Sequence, residues 1–110
     1  MQIKFTARHF KPQDSLREYA HDAVSKLERY YDGIVRSDIT VSHEHAGDKL
    51  KLAEVHLTVY GTLLKAIGKH PEYAKAIDAA IEKLERQLVK YKSKLHKKGK
   101  GEVRKIIDKD

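Results

Sequence analysis

One segment constrains this chain more than any other. From about Glu72 to about His96, Tyr73, Ile77, Ala80, Ile81, Leu84, Leu88, Tyr91 and Leu95 recur at three- and four-residue steps. At 100° per residue they fall within about 100° of arc. That predicts a long helix with a narrow apolar stripe, opened by Pro71, where a proline at the first turn is well tolerated. A stripe this narrow cannot form a core alone, so the helix must lie on another layer.

The rest of the sequence supplies that layer. Residues 2–8 alternate, with Ile3 and Phe5 on one face, and predict a half-buried strand. Pro12, Asp14 and Ser15 signal a helix start. Ser15 and Glu18 have capping-box spacing, with Gln13 or Asp14 as the alternative cap. The apolar residues from Leu16 to Tyr31 occupy one arc of about 140° and predict an amphipathic helix. Asp32-Gly33 ends it, and Gly33 is expected in the left-handed turn.

Ser37–His43 reads as a second strand, and Ala46-Gly47-Asp48 as a turn. Leu50–Tyr60 reads as a third strand, carried by Val55, Leu57 and Val59. Leu50 and Leu52 fall in the opposite phase, which a bulge near Ala53 or a late strand start would reconcile. Gly61-Thr62 marks a hairpin turn before a weaker strand at 63–69.

The expected order is β-α-β-β-β-α, an α+β two-layer sandwich. Two helices cover one face of a four-stranded sheet, with strands 1 and 2 parallel through a right-handed crossover. At 110 residues this is one domain, taken as residues 1–96. Residues 97–110 are expected to be a basic, flexible tail, with a strand or contact at Val103–Ile107 as the alternative.

Composition excludes several function classes. There is no cysteine, hence no thiol nucleophile, disulfide or cysteine-containing zinc site. Apolar runs are too short to cross a membrane, and the N-terminus lacks a signal-peptide pattern, so a cytoplasmic protein is expected. His43-Glu44-His45 has no further ligand at a recognisable spacing and reads as a polar strand end. His56 alternates with Val55 and Leu57 and should face solvent on the open side of the sheet. No catalytic triad or phosphate loop is present, so no enzyme, cofactor, metal or small-molecule substrate is expected. Tyr30 and Tyr31 lie in or beside the apolar arc, which favours core packing over base stacking.

Charge is the positive signal. Residues 1–82 carry equal numbers of basic and acidic side chains, and the whole excess of +7 lies in residues 83–110. On the second helix, Lys83, Arg86, Lys90, Lys94 and Lys97 fall on one flank of the apolar stripe. Asp78, Glu82 and Glu85 fall on the other. The basic line is about 21 Å long at 1.5 Å per residue. Segregated cations at this spacing suit successive phosphates, which they bind by displacing condensed counterions. Lys26 and Arg29 of the first helix would widen the line into a patch if the helices pack side by side.

Two blocks, SLREYAHDAVSKLERYYDGI and AIDAAIEKLERQLVKYKSKL, resemble the ribosome hibernation-promoting factors, also called ribosomal subunit interface or sigma-factor modulation proteins. The strongest pieces are Lys26-Leu27-Glu28 and Lys83–Leu88, and the likeness runs from Met1 to about Leu95. It implies a double-stranded-RNA-binding-like fold. It also implies binding to 16S ribosomal RNA of the small ribosomal subunit, in the messenger and transfer RNA channel, with translational shutdown. Carried over by position, the RNA-binding residues are Lys26, Arg29, Lys83, Arg86, Lys90 and Lys94; Lys97 extends the helical line. The usual Asp-Met-Tyr reads Pro71-Glu72-Tyr73 here, and the second domain of long members is not expected. The protein is expected to be a monomer off the ribosome. The competing reading is a protein-interaction module that modulates a transcription factor through the open sheet face.

Overall fold

A computed structural model of the chain describes residues 1–43 and 50–97, with side chains as far as Lys94. The elements are β1 (Gln2–Ala7), α1 (Asp14–Ser25), a 3-10 turn (Lys26–Arg29), β2 (Ile34–His43), β3 (Lys51–Val59), β4 (Thr62–His70) and α2 (Tyr73–Lys97). The expected order and class therefore hold. The sheet runs β1-β2-β3-β4, with β1 parallel to β2 and the other neighbours antiparallel.

Both helices pack on one face. Val24 and Leu27 from the first helical segment, Ile39, Val41, Val55, Leu57 and Val59 from the strands, and Ile77, Leu84 and Leu88 from α2 form one buried cluster. Truncating a fully buried leucine such as Leu84 to alanine typically costs about 2–5 kcal/mol. This core fixes the rotation of α2 about its own axis, and so decides which way its charges point.

Four local expectations are corrected. The first helix is not continuous to Tyr31; it tightens into the 3-10 turn at Lys26. Gln13, one of the two alternative caps, is the N-cap, without a side-chain hydrogen bond, so the Ser15–Glu18 capping box does not form.

Gly33 does not take a left-handed conformation; among the described glycines only Gly61 does, at φ +80°. Gly33 instead leaves room for the Tyr31 ring, whose outer end a Cβ there would meet at 2.5 Å and have to displace.

β3 has no bulge at Ala53. Ala53 and Val55 share the buried face, and Leu52 lies half-buried on the other. The irregularity is in β2, where the register against β3 shifts between Ile34 and Arg36. The skipped residue, Val35, is exposed, and the shift lets Ile34 as well as Ile39 face the core. The turn expected at 46–48 and the tail at 98–110 lie outside the described residues.

Candidate nucleic-acid interface

The two flanks of α2 meet different neighbours. Tyr19 of α1 donates its hydroxyl to Asp78 Oδ1 at 2.6 Å, so the acidic flank faces α1. This bond, with partial burial, pushes the Tyr19 phenol up to about 12, because ionisation would lose the donated bond and leave a tyrosinate beside a carboxylate. On the other flank Lys83 Nζ donates to the Ile67 carbonyl at 2.6 Å, and Gln87 Nε2 to the Lys65 carbonyl at 2.9 Å. Both acceptors belong to the edge strand β4. The basic flank therefore borders the open edge of the sheet, away from α1.

This arrangement sorts the expected site residues. Arg86 and Lys90 are exposed on α2 and Lys94 is half-buried one turn further on. Lys83 belongs to the same flank, but its ammonium is committed to a strand carbonyl. Lys97 is the last residue of α2, and its side chain lies outside the described ones. Lys26 and Arg29 sit on the 3-10 turn, exposed. Arg29 does not join the line beside β4. It lines a shallow groove with Tyr30, Val89, Lys92 and Ser93, on the α1 side of α2. The structure thus gives two groups of cations on the helical layer, one along the β4 flank and one across the inter-helix groove.

Lys92 was missed by the helical wheel, which places it off the basic line; only the packing of the 3-10 turn brings it near Arg29. Tyr60 was missed as well. It follows the last alternating residue of β3 and carries no periodic signal, yet the residue is 85% exposed. Tyr30 and Tyr31 pack against the core, and Tyr31 meets Tyr91 edge-on at 5.4 Å.

Among its described residues the open sheet face carries two internal pairs. Arg36 forms an ion pair with Asp38 at 3.0 Å, and His56 Nε2 lies 2.8 Å from Glu54 Oε2. Among the described residues no three metal-ligating side chains come together; His43 ends β2, and Glu44 and His45 lie outside those residues. No described helix is long and apolar enough to cross a membrane.

Residues 3–96 match the profile of the Sigma 54 modulation protein / S30EA ribosomal protein family. The chain belongs to this family. It is 31% identical over 102 residues to a ribosome hibernation promoting factor of Azotobacter vinelandii, covering 93% of this chain and 92% of that one. It is 35% identical over 100 residues to a ribosome hibernation promotion factor of Deinococcus radiodurans, covering 88% of this chain and 52% of that protein. The chain thus spans nearly all of some curated relatives and about half of others. Among solved structures it resembles the N-terminal domain of Protein Y from Thermus thermophilus, with a TM-score of 0.73 and 29% identity over 83% of this chain and 99% of that one. A ribosomal subunit interface protein from Coxiella burnetii, at 24% identity and a TM-score of 0.76, shares the fold, covering 84% of this chain and 99% of that one.

Proposed function

We propose that this family member is a cytoplasmic ribosome hibernation factor. It binds 16S rRNA of the small subunit in the channel used by messenger and transfer RNA, and it silences translation by occupying that site. It acts by occupancy rather than turnover. The relatives' names support the ribosome as partner. The observation that carries the RNA contact is the turning of α2: Asp78 is drawn to Tyr19 while Arg86 and Lys90 are left exposed. Acids are thereby kept off the surface that would meet phosphate. A phosphate-reading surface of this kind positions the protein and reads RNA shape more than sequence.

The test is co-sedimentation with purified small subunits at moderate salt. Arg86→Glu combined with Lys90→Glu changes two exposed side chains and spares the Lys83–Ile67 contact. The double variant should keep its thermal unfolding midpoint and lose the pellet. A folded double variant that still pellets like the parent would remove the α2 line from the binding surface.

A further inference from the structure

We propose that Tyr60 is a stacking platform for one unpaired nucleobase of the bound RNA. The proposal rests on the RNA-binding reading and adds to it a base contact that no phosphate-binding residue supplies.

Three observations place this ring where it would act. Tyr60 and Gly61 form a two-residue turn between Val59 and Thr62, which pair across β3 and β4. Gly61 takes φ +80°, as the third position of a type II turn requires. That turn needs nothing aromatic before its glycine. The Tyr60 backbone is fixed, because Tyr91 of α2 donates its hydroxyl to the Tyr60 carbonyl at 2.7 Å. Tyr60 as a whole is 85% exposed, so folding leaves its side chain in water on a held support.

The same hydrogen bond ties the Tyr60 backbone to the β4 side of α2, the side that carries the basic flank. Lys83, Gln87 and Tyr91 contact Ile67, Lys65 and Tyr60 in turn, as α2 runs antiparallel to β4. Lys90 directly precedes Tyr91, and Lys94 follows it by three residues, about 4.5 Å along the axis. Cations tracking a phosphate backbone, with an aromatic face at their border, are the combination that binds unpaired RNA. The cations neutralise charge, and the ring accepts the flat face of any base.

The chain contains no tryptophan, which makes Tyr60→Trp a single-site reporter. Tyr60→Ala, Tyr60→Phe and Tyr60→Trp are compared with the parent for binding to purified small subunits, with Arg86→Glu/Lys90→Glu alongside. Tyr60→Ala should weaken binding roughly 5- to 150-fold, the range for losing one stacked base. Tyr60→Phe should bind like the parent, and Tyr60→Trp emission should be quenched on complex formation. Folding is little affected, since the ring is exposed and the Tyr91 bond goes to main chain. Parental affinity in Tyr60→Ala, with loss in the Arg86/Lys90 variant, overturns the stacking proposal and leaves the RNA reading intact. Parental binding by the Arg86/Lys90 variant overturns both. Blue-shifted, unquenched tryptophan emission in the complex assigns the ring to a protein contact and also overturns it.

Discussion

Gly68 of β4 lies directly beneath Ala76 of α2, with no room between them for a side chain. A Cβ at Gly68 would run into the Ala76 carbonyl oxygen and come within 2.8 Å of the Ala80 nitrogen. These obstacles are backbone, so they cannot swing aside as a flexible side chain would. Gly68→Ala must lift or slide α2. The expected cost is at least about 2 kcal/mol, from forced repacking of a close helix–sheet contact. For a domain of this size the unfolding midpoint should fall by about 10 °C. Because α2 carries the cations, small-subunit binding should weaken with it. A midpoint within a degree of the parent would show that helix and strand are not locked here.

Tyr19 and Asp78 provide a spectroscopic handle on the α1–α2 contact. The Tyr19 phenol is pushed up to about 12 by its bond to Asp78, from an ordinary value near 10. Burial alone also raises Tyr73, and burial with Tyr31 raises Tyr91. A folded-state value above the unfolded one means that the neutral form is the one stabilised. That stability is fully present below about pH 10 and is lost as pH rises through about 12. Ultraviolet titration of tyrosinate should show Tyr19, Tyr73 and Tyr91 ionising late, with the Tyr19 phase at about 12. Asp78→Ala should return the Tyr19 phase toward the ordinary range, since both the hydrogen bond and the negative charge are removed. An unmoved Tyr19 phase in Asp78→Ala would show that Asp78 does not hold the proton.

How much of this could be read from residues alone follows from the kind of signal each element carries. The α2 stripe and the alternations of β1 and β3 are periodic, and their placement was legible. β2 was not legible before Ser37, because the register shift at Val35 moves Ile34 out of phase with Ile39 and Val41. The Lys26 change from α to 3-10 leaves hydrophobic spacing nearly unaltered and is set by packing. In the interface, the segregation of signs on α2 was legible, but its orientation was not. Sequence does not say that Asp78 meets Tyr19 or that Lys83 meets Ile67. Tyr60 and Lys92 gain significance only through tertiary neighbours.

Ser37 in the middle of β2 gives a prediction of opposite sign. It is fully buried, and among the described residues its Oγ has no hydrogen-bond partner. A buried hydroxyl without a partner has lost its water bonds without compensation. Ser37→Ala should therefore stabilise the domain by about 1 kcal/mol, and keep the β1 and β3 pairings to Ile3 and Leu57. Urea unfolding reads this as a higher midpoint at unchanged slope. A lower midpoint would mean that the oxygen contributes more by filling space than it costs by losing water.

The commitment of Lys83 to β4 separates it from Arg86 and Lys90 in a way that salt dependence can measure. Binding through about five phosphates should fall with a log–log slope of roughly −3 to −5 against salt. Each cation that releases a counterion contributes just under one to that slope. Arg86→Gln and Lys90→Gln should each make the slope shallower by that amount, since both side chains are exposed. Lys83→Gln should change the slope less, because its ammonium already rests on the Ile67 carbonyl. Its main effect should be on the β4 edge, at the cost of one hydrogen bond to a charged donor, about 1.5–3 kcal/mol of stability at most. Equal slope changes in all three variants would mean that Lys83 leaves the strand to reach phosphate. A slope near zero in the parent protein would point instead to a contact through the sheet face, where Leu63 and Ile67 are exposed.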